Sequence, residues 1–269
     1  MPATTGEMYA VGARRAVIFA LGAAGMIEPG TAATAAYIGL EVLGVKSLEL
    51  NPPGIRKISH VGNDRVMAFD LLPTIEGVSG TLTVAGRSMV LDALLGNVKM
   101  LTLAEVKLMS AITDQQGSEP DVAVFVSQQA KDASTRSRRY RFQLIPKCSV
   151  TAAPIGMNDN PAESKYELAI SPTTKHLWGL ALSVANDGCL EAGVVEGMTE
   201  GRPNIVAWKG NGVLTNFLFP LDKPATAVGK VAATYVDGVL TVPDTITVTS
   251  ITITTPPTTG KIITTIYEY

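Results

Sequence analysis

Two histidines supply all the imidazole that acid–base or metal chemistry could draw on in this chain. His60 lies in Ile58-Ser59-His60-Val61, and His176 in Thr174-Lys175-His176-Leu177-Trp178, beside basic and aromatic residues. Neither belongs to an HExxH motif or to a pair at helical spacing, which excludes the common two-histidine zinc patterns. No nucleophile is spaced to work with His176 as a general base, so it reads as a hydrogen-bonded or interface histidine. Cys148 and Cys189 are far apart and form neither a CxxC motif nor a metal knuckle. They are expected as free buried thiols, with a single disulfide left open. Gly77-Val78-Ser79-Gly80 lacks the flanks of a GxSxG nucleophile elbow, and no GxxxxGK[ST] phosphate loop occurs. Gly22-Ala23-Ala24-Gly25 is a fragment of a dinucleotide loop that runs into Pro29-Gly30 instead of a helix. Asp64, Asp70, Glu119 and Asp121 are the carboxylates that glycosidase chemistry would have to pair. Their loop settings read as solvated or salt-bridged. The expectation is therefore a protein that is not an enzyme, with no catalytic residue, no cofactor and no metal ligand.

Charge offers one local feature. Lys131, Arg136, Arg138, Arg139 and Arg141 are clustered, with Tyr140 and Phe142 interleaved. Such a cluster can meet phosphates and stack on bases. It also describes an amphipathic strand, with Arg139 and Arg141 on one face and Tyr140 and Phe142 on the other. That charged face would suit acidic loops of a neighbouring subunit, with Glu191, Glu196 and Glu200 as a candidate counterpart. The whole chain carries 22 basic and 24 acidic side chains, a net charge of −2, which excludes a globally polybasic nucleic-acid binder. With 46% hydrophobic and only 17% charged residues, the chain is too apolar for disorder, and part of its surface is expected to be buried against other copies. The run Ala16 to Ala24 after Arg14-Arg15 is far shorter than the roughly 20 apolar residues of a membrane span. A soluble chain without an address label is expected.

The elements that would position these residues read as strands. Short β-branched runs recur between Gly, Pro, Asn and Asp punctuation. They are Ala16–Ala20, Lys46–Leu50, Ile55–His60, Val66–Leu72 and Gly80–Val84, with a hairpin turn at Gly62-Asn63-Asp64. One helix is expected, capped by Ser88, with Met89, Val90, Ala93 and Leu94 as its apolar stripe and Gly96-Asn97 as its stop. Strands follow at Leu101–Met109, Val122–Gln128, Arg138–Ile145, Tyr166–Ile170 and Ile205–Trp208. Long connections are expected over Ala111–Asp121, Val150–Ser164 and Ala185–Arg202. From Gly210 onward Thr, Val and Ile dominate. Leu214–Leu218, Val231–Val236 and Val239–Val242 read as strands, the last two joined at Asp237-Gly238 as a type I′ hairpin. Ile246 and Val248 lie in opposite phase to Ile251 and Ile253, which calls for a bulge or a strand break near Ser250. Pro256-Pro257 and Gly260 turn the chain into a final strand, Ile262–Tyr267. The working organisation is a core over 1–208 and a small C-terminal β-sandwich over 209–269, with a linker near Ala207–Lys209.

Larger segments carry a family resemblance. Gly12-Ala13-Arg14-Arg15-Ala16-Val17-Ile18-Phe19, Gly39-Leu40-Glu41-Val42 and Arg56 to Arg65 resemble the major tail (tail tube) proteins of tailed bacteriophages. So do Asp114-Gln115-Gln116-Gly117, Gly156 to Pro161 and Thr174 to Gly179, so that the likeness runs over about the first 208 residues. The C-terminal piece is similar to a β-module that recurs in phage tail and fibre proteins. The matching residues are Gly210-Asn211-Gly212, Phe217 to Pro220, Val236 to Leu240 and Thr252-Ile253-Thr254, with Pro257, Gly260 and Tyr267. The resemblance implies a mainly β fold: a β-sandwich or curved sheet with one flanking α-helix, plus the C-terminal module on the tube exterior. It implies hexameric rings stacked into a hollow tail tube through which DNA leaves the capsid without specific binding. Other tail proteins would be partners, and the virion, assembled in the host cytoplasm, would be the location, with no membrane involved. A capsid decoration or head–tail connector protein, or a host-surface carbohydrate-binding module, is the alternative. Trp178 and Trp208 both lie outside 210–269, so a sugar platform there would rest on Tyr or Phe. If the C-terminal module is self-contained, truncation after Lys209 should leave assembly possible.

Overall fold

The computed structural model describes residues 8–22, 27, 29, 36–42, 44–51, 55–62, 65–73, 79–86, 89–95, 99–103, 106–110, 120–132, 138–152, 163–171, 191–195, 203–227 and 231–269. The described chain is mainly β. Its strands are β1 (Met8–Ala20), β2 (Leu40–Val42), β3 (Val45–Asn51), β4 (Ile55–Gly62), β5 (Arg65–Pro73) and β6 (Ser79–Val84), then the helix α1 (Met89–Leu94). There follow β7 (Lys99–Leu103), β8 (Val106–Ser110), β9 (Val122–Asp132), β10 (Arg138–Ala152), β11 (Ser164–Ile170) and β12 (Glu191–Val195). The last elements are β13 (Pro203–Lys209), β14 (Asn216–Leu218), β15 (Val231–Val236), β16 (Val239–Thr241), β17 (Thr245–Ile246), β18 (Ser250–Thr252) and β19 (Ile262–Glu268).

Eight strands form the large sheet, in the order β2-β1-β9-β10-β11-β6-β3, with β12 also on β10. A four-stranded sheet runs β13-β19-β15-β16 and a three-stranded one β14-β18-β17. β4–β5 and β7–β8 are separate two-stranded hairpins, and all the pairings are antiparallel.

Alternation along the strands sets the layers. In β1, Ala16 and Ile18 share a core with Val124, Leu82, Leu91 of α1 and Leu95 just after it. Val17 and Phe19 point the other way, packing with Phe125, Leu144, Ile205, Ala207 and Ile266. The four-stranded sheet thus shares a core with the large sheet on one face. Its other face, through Val206, Trp208, Ile263 and Tyr267, meets Phe217 and Ile251 of the three-stranded sheet and the adjoining Ile253. A sheet covered on both sides loses the apolar–polar alternation, and β13 and β19 are accordingly buried almost throughout.

Several expectations change here. The linker expected at Ala207–Lys209 is part of β13, paired residue for residue with β19 from Pro203↔Glu268 to Lys209↔Ile262. The division expected at 208/209 falls inside that strand. The run Leu101–Met109 is not one strand but the β7–β8 hairpin, with Leu103 opposite Val106. The helix turns Leu91 into the core, with Leu95 just past its end, and leaves Val90 exposed, so the buried stripe is offset from the one expected. Spacing could not separate the two stripes because the run Met89 to Leu95 is apolar on most sides. Its caps, Ser88 and Gly96-Asn97, lie outside the described residues. The expected connection over Ala185–Arg202 contains β12, and β10 continues past Ile145 to Ala152. Pro146, a strand breaker in the sequence, sits where the β9–β10 register slips between Ile145 and Cys148. At such a bulge a missing N–H costs no ladder bond.

In the C-terminal part, Asp237 and Gly238 have φ of 49° and 88°, as a type I′ turn requires. The phase change near Ser250 resolves as a chain reversal, with Ile246 opposite Ile251. Thr247 Oγ1 makes that turn by accepting the Thr249 and Ser250 N–H groups at 3.2 and 2.9 Å.

Candidate functional site

The residues that could do chemistry are not brought together where the structure describes them. His60 and Asp70 lie on the β4–β5 hairpin, opposite Ala68 and Ile58 respectively. Asp121 pairs with Lys147 at 3.0 Å. Cys148 is a buried free thiol, and burial, reinforced by the Asp121 charge, pushes its pKa up to about 12, which keeps it protonated and unreactive. Asp64, Glu119, His176 and Cys189 lie outside the described residues. Among the described residues no three His, Cys, Asp or Glu side chains converge as a metal site would need, and no helix is long and apolar enough to cross a membrane.

The basic segment is placed by the ladder. Arg138 pairs with Lys131 across β9, and Arg141 stands opposite Gln128 on one side and Val194 of β12 on the other. β12 begins at Glu191 opposite Leu144, so this acidic end lies along the same strand as the arginines. Glu196, Glu200 and Arg136 lie outside the described residues.

A dense polar constellation among the described residues lies elsewhere, at a position that no sequence motif marks. Arg15 lies in phase with Val17 and Phe19, so it faces the four-stranded sheet, and it is only 4% exposed. Burying an unpaired guanidinium would be prohibitive, and every arm of this one is engaged. Nε and Nη2 donate to the two Glu41 carboxylate oxygens at 2.7 and 3.3 Å, while Nη1 donates to Pro203 O at 3.2 Å and Asn204 Oδ1 at 2.8 Å. Lys223 Nζ donates to Glu41 Oε2 at 2.7 Å. The Asn204 amide donates to the Tyr267 hydroxyl, which in turn donates to Lys223 O, both at 2.8 Å. The Arg15 guanidinium stacks over the Tyr269 ring at 5.0 Å, with Lys223 at 5.6 Å.

This cluster ties the β1–β2 edge to the start of β13 and to the segment between β14 and β15. Burial pushes the Glu41 carboxyl up, but hydrogen bonds and charge from Arg15 and Lys223 outweigh it, so its pKa lies below the ordinary value. The Tyr267 hydroxyl moves well up, chiefly through burial. With each guanidinium nitrogen of Arg15 bonded within the protein, the cluster acts as a clamp between layers. The signal available in the sequence was Arg15 in the apolar phase of a strand, where a charge requires a buried partner.

A second device holds the same edge. Tyr37 exchanges two backbone hydrogen bonds with Ala207, at 2.7 and 3.0 Å, and its hydroxyl accepts the Ala20 N–H at 3.2 Å. The strap turns into β2 at Gly39, whose φ is +64°. A Cβ there would stand 2.8 Å from both Ile18 O and Val17 Cγ1 and 2.9 Å from Phe19 Cδ1. Gly39→Ala is expected to destabilise the protein by about 1–3 kcal/mol, from left-handed strain plus overpacking. Chemical denaturation checks this, and a wild-type midpoint would contradict the close approach.

No protein-family model matches this chain, and neither a curated protein nor a solved structure matches it.

Proposed function

We propose that this chain is a structural virion protein, a tail-tube subunit that assembles into hexameric rings stacked as a hollow conduit for phage DNA. The observation that supports the reading is the antiparallel body itself. One large sheet carries a short helix against one face and the four-stranded sheet against the other. Its mainly β, antiparallel character is compatible with the β-sandwich and flanking helix that the sequence resemblance implies. Self-association, contact with other tail proteins, passage of double-stranded DNA without specific binding and location in the virion belong to the same reading.

Negative-stain microscopy of the purified full chain tests the proposal. Rings or hollow tubes are expected, with each subunit burying roughly 2,000–5,000 Å2 against its neighbours, the range of obligate interfaces. Monomers or isolated spikes at all concentrations would overturn the tube in favour of a capsid decoration or head–tail connector role. Tight glycan binding by such a monomer would instead favour host attachment.

A further inference from the structure

The four-stranded sheet treats its two edges differently. The outer side of β13 is covered by the Tyr37 strap through two backbone hydrogen bonds. β16, at the opposite edge, is the last strand of the sheet among the described residues. It carries apolar side chains in the open: Val239 is 67% exposed, Leu240 64% and Val242, just beyond it, 84%. The β3 edge of the large sheet, by contrast, exposes Lys46 and Glu49, the charges that normally guard an edge strand.

The ladder fixes which backbone groups of β16 are free. In a two-residue hairpin the residues flanking the turn form a hydrogen-bonded pair, and bonded and non-bonded pairs alternate from there. Val236↔Val239 is therefore bonded, Tyr235↔Leu240 is not, and Thr234↔Thr241 is bonded again. The N–H and C=O groups of Leu240 consequently point away from β15, toward the open edge, and the same alternation carried one residue past the strand would turn those of Val242 the same way. The Leu240 side chain lies on the face of Tyr235, which elsewhere packs on the large sheet, so β16 overhangs that sheet and leaves this face uncovered.

We propose that this edge pairs with the β16 edge of a second copy of the chain, antiparallel and about a two-fold axis through Thr241. In that register Leu240 of one copy stands opposite Val242 of the other, and each outward N–H and C=O finds its complement. Apolar side chains meet apolar ones. The sequence Val239-Leu240-Thr241-Val242-Pro243 holds no charge, and neither Asp237 nor Asp244 falls opposite its own copy. This self-complementarity is what points to a second copy as the occupant. The three paired residues of each strand, Leu240–Val242, span only about 10 Å, so the buried area falls well below the roughly 1,200 Å2 of a stable complex. The pairing is therefore weak and favoured only at high protein concentration. It stands apart from the ring reading, since a two-fold axis cannot relate subunits within one polar tube. It would join free subunits or adjacent tubes.

Thr241→Cys in the full chain tests the register. Thr241 faces its own copy at a non-hydrogen-bonded site, where Cα atoms about 4.5 Å apart suit a disulfide. Mild oxidation at high protein concentration should give a dimer linked by a disulfide between the two substituted positions, identified by peptide mass spectrometry. Leu221→Cys, at a fully exposed position away from this edge, should not self-link in this way. Adding Val242→Pro to Thr241→Cys removes an outward N–H from each copy without touching the β15 ladder, and should cut the yield about ten-fold at unchanged circular dichroism. Absence of the Thr241→Cys link in a folded protein, or a link that survives Val242→Pro undiminished, would overturn the pairing and leave the edge to a different partner.

Discussion

A chain truncated after Lys209 is expected to come out insoluble or as a loosely packed state with no cooperative melting transition. The cut removes β19, the strand that pairs β13 along its whole length, and the other strands of both C-terminal sheets. It also uncovers the face of the large sheet made by Val17, Phe19, Phe125 and Leu144. Each such side chain is worth about 1.5–3 kcal/mol when buried, so the loss is on the order of 10 kcal/mol. That rivals the roughly 5–15 kcal/mol by which a whole domain is stable. The expectation that assembly would survive this truncation is thereby revised. Near-UV circular dichroism, dye binding and calorimetry read the outcome. A second cut after Arg202 removes the orphaned strand as well and separates two causes. If the exposed sheet face is the problem, this shorter chain fails equally. If it melts cooperatively, the large sheet is self-sufficient and the shared core contributes little.

The second large effect is expected at Glu41. Glu41→Gln keeps the shape of the side chain but leaves Arg15 and Lys223 facing each other without their common anion. Breaking a buried ion pair costs about 3–5 kcal/mol, and partial exposure of Glu41 places this site at the lower end, about 3 kcal/mol. For a chain of this size the melting temperature should fall by about 6–12 °C.

The pH dependence follows from the direction of the Glu41 shift. Its pKa is lower folded than unfolded, so the unfolded state binds the proton more readily. Its contribution is complete above the unfolded carboxylate pKa and fades as the pH falls through the lower folded value. Stability profiles of wild type and Glu41→Gln should therefore run apart at neutral pH and converge in acid. Profiles that stay parallel would show that Glu41 carries no net charge coupling. A triple replacement of Arg15, Glu41 and Lys223 by Met, Leu and Met should recover much of the loss, because it leaves no charge buried alone.

Sequence alone settled the strand-rich character and the sharpest of the turns. Asp237-Gly238 gave its hairpin because a type I′ turn needs two residues that tolerate positive φ, a preference written into those side chains. Gly80–Val84 and Ile55–Leu72 were likewise legible, since half-buried or hairpin strands are specified by neighbours in the chain. Tertiary structure decided which strands share a sheet. Ile205–Trp208 reads equally well as the end of one unit or the start of the next, and pairing with Ile263–Ile266, far along the chain, makes the choice. Continuous burial of β13 and β19 has the same origin, because a strand covered on both faces has no alternation to read. The Arg15–Glu41–Lys223 clamp was invisible for a related reason. Its members are scattered across the sequence, and only the stacking of one sheet on another brings a lone arginine in an apolar strand to the carboxylate that makes its burial tolerable.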